Sequence, residues 1–138
     1  MKKRPDSLVN EWLEKARNDL AYAKASFEEF DNFYAQMCIL CHDAVEKFLK
    51  AFLIASGKRL SRTHDVVALV RGCGNVDSAF LEYVDECKVV NRYYVPLKYP
   101  SHYPQMRREQ AAEAIHVAEQ IQAVVSERIE GALNLKNA

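Results

Sequence analysis

The stretch Cys38-Ile39-Leu40-Cys41-His42-Asp43-Ala44-Val45-Glu46-Lys47-Phe48-Leu49-Lys50-Ala51-Phe52-Leu53-Ile54-Ala55-Ser56-Gly57 decides the fold. Its apolar residues recur every three to four positions, the period of an α-helix. With Phe33 and Met37 ahead of them, Leu40, Cys41, Ala44, Val45, Phe48, Leu49 and Phe52 make an unusually wide apolar face. Such a helix belongs in the middle of a bundle. Asp31 or Asn32 is expected to cap its start. Ser56-Gly57 is expected to end it, because glycine accepts the left-handed conformation that closes helices.

Outward from that helix the same period repeats. A first helix is expected from just after Pro5, capped by Asp6 or Ser7, to about Phe30, with Leu8, Trp12, Ala16, Leu20, Ala23 and Phe27 along one stripe. After the basic loop Lys58-Arg59-Leu60-Ser61-Arg62, Thr63 is expected to cap a short third helix from His64 to about Val70, ending before Gly72-Cys73-Gly74. A fourth, capped by Asp77 or Ser78, turns Phe80, Leu81, Val84, Cys87 and Val90 inward. Pro96, Pro100 and Pro104 then forbid helix. The last helix is expected from about Met106 to Leu133, with Ala111, Ala114, Ile115, Ala118, Ile121, Val124, Val125 and Ile129 facing inward. The chain therefore reads as all-α: one domain over residues 1–138, an antiparallel up-and-down bundle of four long helices plus one short helix.

Nineteen basic and nineteen acidic residues cancel, so no global field draws in a polyanion. Any such binding is local, and no DNA partner is expected. The basic start, Met1-Lys2-Lys3-Arg4, runs into charged, amphipathic sequence where an export signal would carry an apolar run. The most apolar region, around Phe48 to Ile54, is interrupted by Lys50 and far shorter than the roughly 20 residues a spanning helix needs. A cytoplasmic protein is expected, with Cys38, Cys41, Cys73 and Cys87 as reduced thiols.

Several motifs bear on chemistry. Cys38-Ile39-Leu40-Cys41-His42 spells the C-x-x-C-H of covalent haem attachment, but it lies mid-helix in a core-forming stripe, where cysteine packs as a small apolar group. Nothing completes a four-ligand zinc set around it, so neither metal nor cofactor is expected. His42, Glu46 and Lys50 are spaced four apart and share a ridge beside the apolar face. Asp19, one position before Leu20, needs a donor there, and Lys50 or His42 can supply one. Lys58, Arg59 and Arg62, with the free N–H groups of the next helix start, form a candidate phosphate site beside His64. Asn91 to Pro104 carries four tyrosines, Arg92, Lys98 and His102 in a proline-stiffened loop, a composition suited to stacking bases and holding phosphates.

Asp19-Leu20, then Ala44-Val45-Glu46-Lys47-Phe48-Leu49-Lys50-Ala51, then Thr63-His64-Asp65 follow in an order that resembles HEPN domains. Members of that family show an A-x-E-K-x-L-K-A helix, a glycine, a basic loop and T-H-D, and later a tyrosine-rich segment ending in R-Y-P. Tyr93-Tyr94-Val95-Pro96-Leu97-Lys98-Tyr99-Pro100 is similar to that segment, with Lys98 in place of the arginine. The resemblance runs from about Leu8 to Ile129. It implies a helical bundle, often a homodimer, frequently encoded beside a minimal nucleotidyltransferase as a two-component or toxin–antitoxin pair. It also implies nucleotide or RNA binding, for which Glu46, Lys50, His64, Lys98 and Tyr99 are the matching candidates.

Some branches of the family are metal-independent ribonucleases with an arginine and a histidine four to six residues apart at the start of a late helix. Here only Arg59 and His64 have that spacing, and they fall in an earlier connection. Arg92 to His102 and Arg108 to His116 are wider. The expectation is thus a non-catalytic module that binds a nucleotide or a nucleotidyltransferase partner. The alternatives are a ribonuclease, with His64 or His102 as base and Arg59, Arg62 or Arg92 stabilising the phosphorane, and a structural dimerisation domain.

Overall fold

The computed structural model describes residues 5–94 and 105–137, the side chains of 5 and 131–137 excepted. Five α-helices occupy these residues: α1 (Pro5–Glu29), α2 (Tyr34–Ala55), α3 (Val66–Val76), α4 (Val84–Asn91) and α5 (Arg108–Asn137), with a 3₁₀ segment, Ser78–Tyr83, leading into α4. The all-α bundle is therefore as expected. Helix length is distributed differently, with α1, α2 and α5 long and α3 and α4 short.

The central helix is α2. Fifteen of its twenty-two residues are buried, and it packs on both α1 and α5. Its end is closed by paired bonds that satisfy two otherwise orphaned carbonyls: Gly57 N–H to Ile54 at 3.0 Å and Lys58 N–H to Leu53 at 2.9 Å. Gly57 sits at φ 83°, the conformation for which glycine is suited. The start of α2 is less conventional. Neither Asp31 nor Asn32 caps it; Phe33 does, at φ 67° and without a side-chain cap bond. Asn32 Oδ1 instead accepts from the Phe33 N–H at 2.8 Å. Phe33 is thereby turned out of the predicted apolar face, and its ring meets Phe30 edge-on at 5.4 Å.

In α1 the buried stripe is Val9, Leu13, Ala16, Leu20 and Ala23. Leu8, Trp12 and Phe27 lie at its margin, only partly buried. The α5 stripe is buried at every predicted position. Phe80 packs on Phe52 with ring centroids 4.4 Å apart, anchoring the 3₁₀ segment to α2. Leu81, predicted inward, is exposed, and its side chain lies across Gly74. That contact explains why α3 runs through Gly72-Cys73-Gly74 when the glycines predicted its end. A side chain at 74 would collide with Leu81, so glycine serves close approach, not termination. All four cysteines are buried and free, as small core residues. No helix among the described residues is long and apolar enough to cross a membrane.

Candidate functional site

The polar ridge of α2 enters the protein. Glu46 and Lys50 are 7% and 4% exposed, and Lys50 Nζ donates to Glu46 Oε2 at 2.8 Å. Either charge buried alone carries a heavy desolvation cost, so each requires the other. Lys50 Nζ also stands 5.6 Å from the centre of the Trp12 ring, giving the cation a second partner.

His64 closes this pair from the loop before α3. Its Nδ1 lies 3.0 Å from Glu46 Oε1 and 3.1 Å from Oε2. A carboxylate at Nδ1 means that nitrogen carries the hydrogen, which leaves Nε2 of the neutral ring as an acceptor. The His64 side chain is half exposed while Glu46 is covered. His42, fully buried, fixes the His64 backbone, its Nε2 lying 2.9 Å from the His64 carbonyl oxygen. The other His42 nitrogen faces Asp43 Oδ1 at 3.1 Å. The Tyr94 ring lies nearly parallel to both imidazoles, 4.8 Å from His64 and 5.3 Å from His42.

Two predicted local arrangements are corrected. Asp19 pairs with Lys47, not with Lys50 or His42; Lys47 faces α1 at the margin of the core, whereas Lys50 is committed to Glu46. The cap of α3 is Asp65, not Thr63. Asp65 Oδ1 accepts from Val67 and Ala68 N–H at 3.0 and 3.1 Å, while Thr63 Oγ1 accepts from the Asp65 N–H. Asn91 Oδ1 takes the Val66 N–H at 3.0 Å and its amide donates to Asp65 at 3.1 Å. The amides at this helix start are therefore spent on protein groups. An anion beside His64 has to be held by side chains, and Lys58, Arg59, Arg62 and Arg92 are all exposed.

Of the predicted site residues, Glu46, Lys50 and His64 converge. Lys98, Tyr99 and His102 lie outside the described residues. Sequence reasoning missed the clamp from His42, the stack from Tyr94, the bridge from Asn91 and the contact of Trp12 with Lys50. The four-residue spacing from His42 to Glu46 was the only advance signal. Ligand atoms of His42, Asp43 and Glu46 lie within 4.8 Å of one another, yet Glu46 is committed to Lys50 and His64, and His42 to the His64 carbonyl and Asp43. Cys38 and Cys41 are sealed in the core. Burial pushes the Cys38 thiol up to about 12 and raises Cys41 as well, so neither is an available thiolate.

The sequence profile of the HEPN domain family matches residues 9–129. Among solved structures, the crystal structure of an archaeal HEPN homologue is similar, with a TM-score of 0.71 and 23% identity over 94% of this chain and 99% of that one. That likeness supports the fold. No curated protein matches the sequence significantly.

Proposed function

We propose, from the premise that this chain belongs to the HEPN domain family, that it is a non-catalytic module binding a nucleotide or RNA end beside His64. In the cell it would work as a homodimer with a minimal nucleotidyltransferase. The observation that carries this reading is the Glu46–His64 contact, 3.0 Å long. It holds a half-exposed imidazole in one orientation, next to a loop whose Lys58, Arg59 and Arg62 face solvent. A fixed acceptor edge beside exposed cations suits a ligand that is part donor-bearing ring and part phosphate. Calorimetry of the intact chain against ATP and AMP, with co-purification of the neighbouring gene product, tests this reading; no binding and no partner would sink it.

The same contact favours a second reading, a metal-independent ribonuclease. A carboxylate behind Nδ1 leaves Nε2 as a general base for a 2′-hydroxyl, with Arg59, Arg62 or Arg92 to stabilise the phosphorane. Against it stands the departure from the family's arginine–histidine spacing. Incubation with total RNA, beside His64→Ala, separates the two: the first reading expects intact RNA with both proteins, and the second expects cleavage lost in the variant.

A further inference from the structure

The core uses Val9 and Leu13 of α1, and so leaves Leu8 and Trp12 over. These two are four residues apart, one turn along the same flank, packed against the core on one side and uncovered on the other. They line a cleft of about 630 Å³ together with Glu11, Glu14, Lys15, Asn18 and Lys47. Its volume falls within the roughly 300–1,000 Å³ of small-molecule sites. The part of the indole that the core does not cover opens into it, and the ring is tied through Lys50 to Glu46 and thus to His64.

We infer that this cleft receives a nucleobase, stacked on the Trp12 indole, with its phosphate at Lys15. The inference rests on the nucleotide-binding reading above and adds to it a second base position, apart from the one beside His64, whose lining shares no residue with that site. Aromatic stacking accepts any base, which fits a cleft with one large ring. Asn18 and Glu14 offer polar groups for the base edge. Of the two lysines in the wall, Lys47 is held by Asp19, which leaves Lys15 for the phosphate. The same chemistry is presented by a mononucleotide and by single-stranded RNA.

Trp12 is the only tryptophan in the chain, so all of its tryptophan fluorescence arises from the wall of this cleft, and the Trp12 and Lys15 variants separate binding here from binding beside His64. Titration of the full chain with AMP, and separately with a single-stranded RNA hexamer, is followed by fluorescence and calorimetry together. Saturable quenching is expected, and Trp12→Leu is expected to weaken binding about tenfold, the loss of one base–aromatic stack. Quenching by AMP assigns the cleft to free nucleotides, and quenching by the hexamer alone assigns it to RNA. Should Trp12→Leu fail to fold, Lys15→Glu supplies the same test at an exposed position. Heat of binding with unchanged Trp12 fluorescence, or unchanged affinity in the variants, overturns the inference but leaves nucleotide binding intact elsewhere. No heat with either ligand overturns both.

Discussion

Glu46 and His64 lie 18 positions apart in sequence, and the buried carboxylate of the first accepts from the ring of the second at 3.0 Å. The contact joins the centre of the core helix to the loop before α3. It leaves Glu46 serving two donors, Lys50 beneath and His64 above. Each of those donors reports on a different aspect of the cluster.

Removing the carboxylate charge should be costly. Glu46→Gln strands the Lys50 ammonium, and the expected loss is about 3 kcal/mol of stability, as for one partner taken from a buried ion pair. Glu46→Gln combined with Lys50→Met removes both charges and should recover most of that loss. Urea denaturation of the wild type and the two variants measures it.

Alkaline conditions should destabilise the fold through its thiols. Burial pushes Cys38 and Cys87 up to about 12 from an ordinary value near 9, and raises Cys41 and Cys73 too. Above pH 9 the unfolded thiols lose protons that the folded ones keep, so the unfolded state binds fewer protons and stability falls as pH rises. The contribution is full below about pH 9 and is lost on the way to pH 12. Urea midpoints between pH 8 and 11 should decline, and less steeply in Cys38→Ala. At pH 8 the native protein should also resist a thiol reagent that labels all four cysteines after denaturation.

Gly74 gives a test of packing. A Cβ there would stand 2.3 Å from Leu81 Cδ2. Gly74→Ala gains about 1 kcal/mol of helix propensity but obliges the half-exposed Leu81 side chain to leave its present rotamer, at about 0.5–1.5 kcal/mol, so the gain is expected to be largely cancelled. In a Leu81→Ala background the clash disappears and Gly74→Ala should stabilise. Thermal melts of the four proteins measure the two changes.

The fold was legible where one residue has one job. Gly57 ends α2 as its conformational freedom predicts, and the α5 stripe is buried where periodicity placed it. Reading failed where neighbours compete. Leu8 and Val9 are both apolar, as are Trp12 and Leu13, and only packing against α2 selects the second of each. Thr63 and Asp65 are both good caps, and Asn91, distant in sequence, favours Asp65 by bonding to it. In the site, the spacing of His42, Glu46 and Lys50 announced a polar ridge, but the partners that complete it come from Trp12, His64 and Tyr94. Periodicity within one helix carries no information about such partners.

The most direct test of the account is the affinity of the intact chain for ATP, measured by calorimetry beside His64→Ala. Saturable binding that the variant weakens about tenfold, the equivalent of one charge-assisted or stacking contact of about 1.4 kcal/mol, is the predicted result. Equal affinity in the two proteins, or no binding by either, would contradict a site organised by Glu46 and His64.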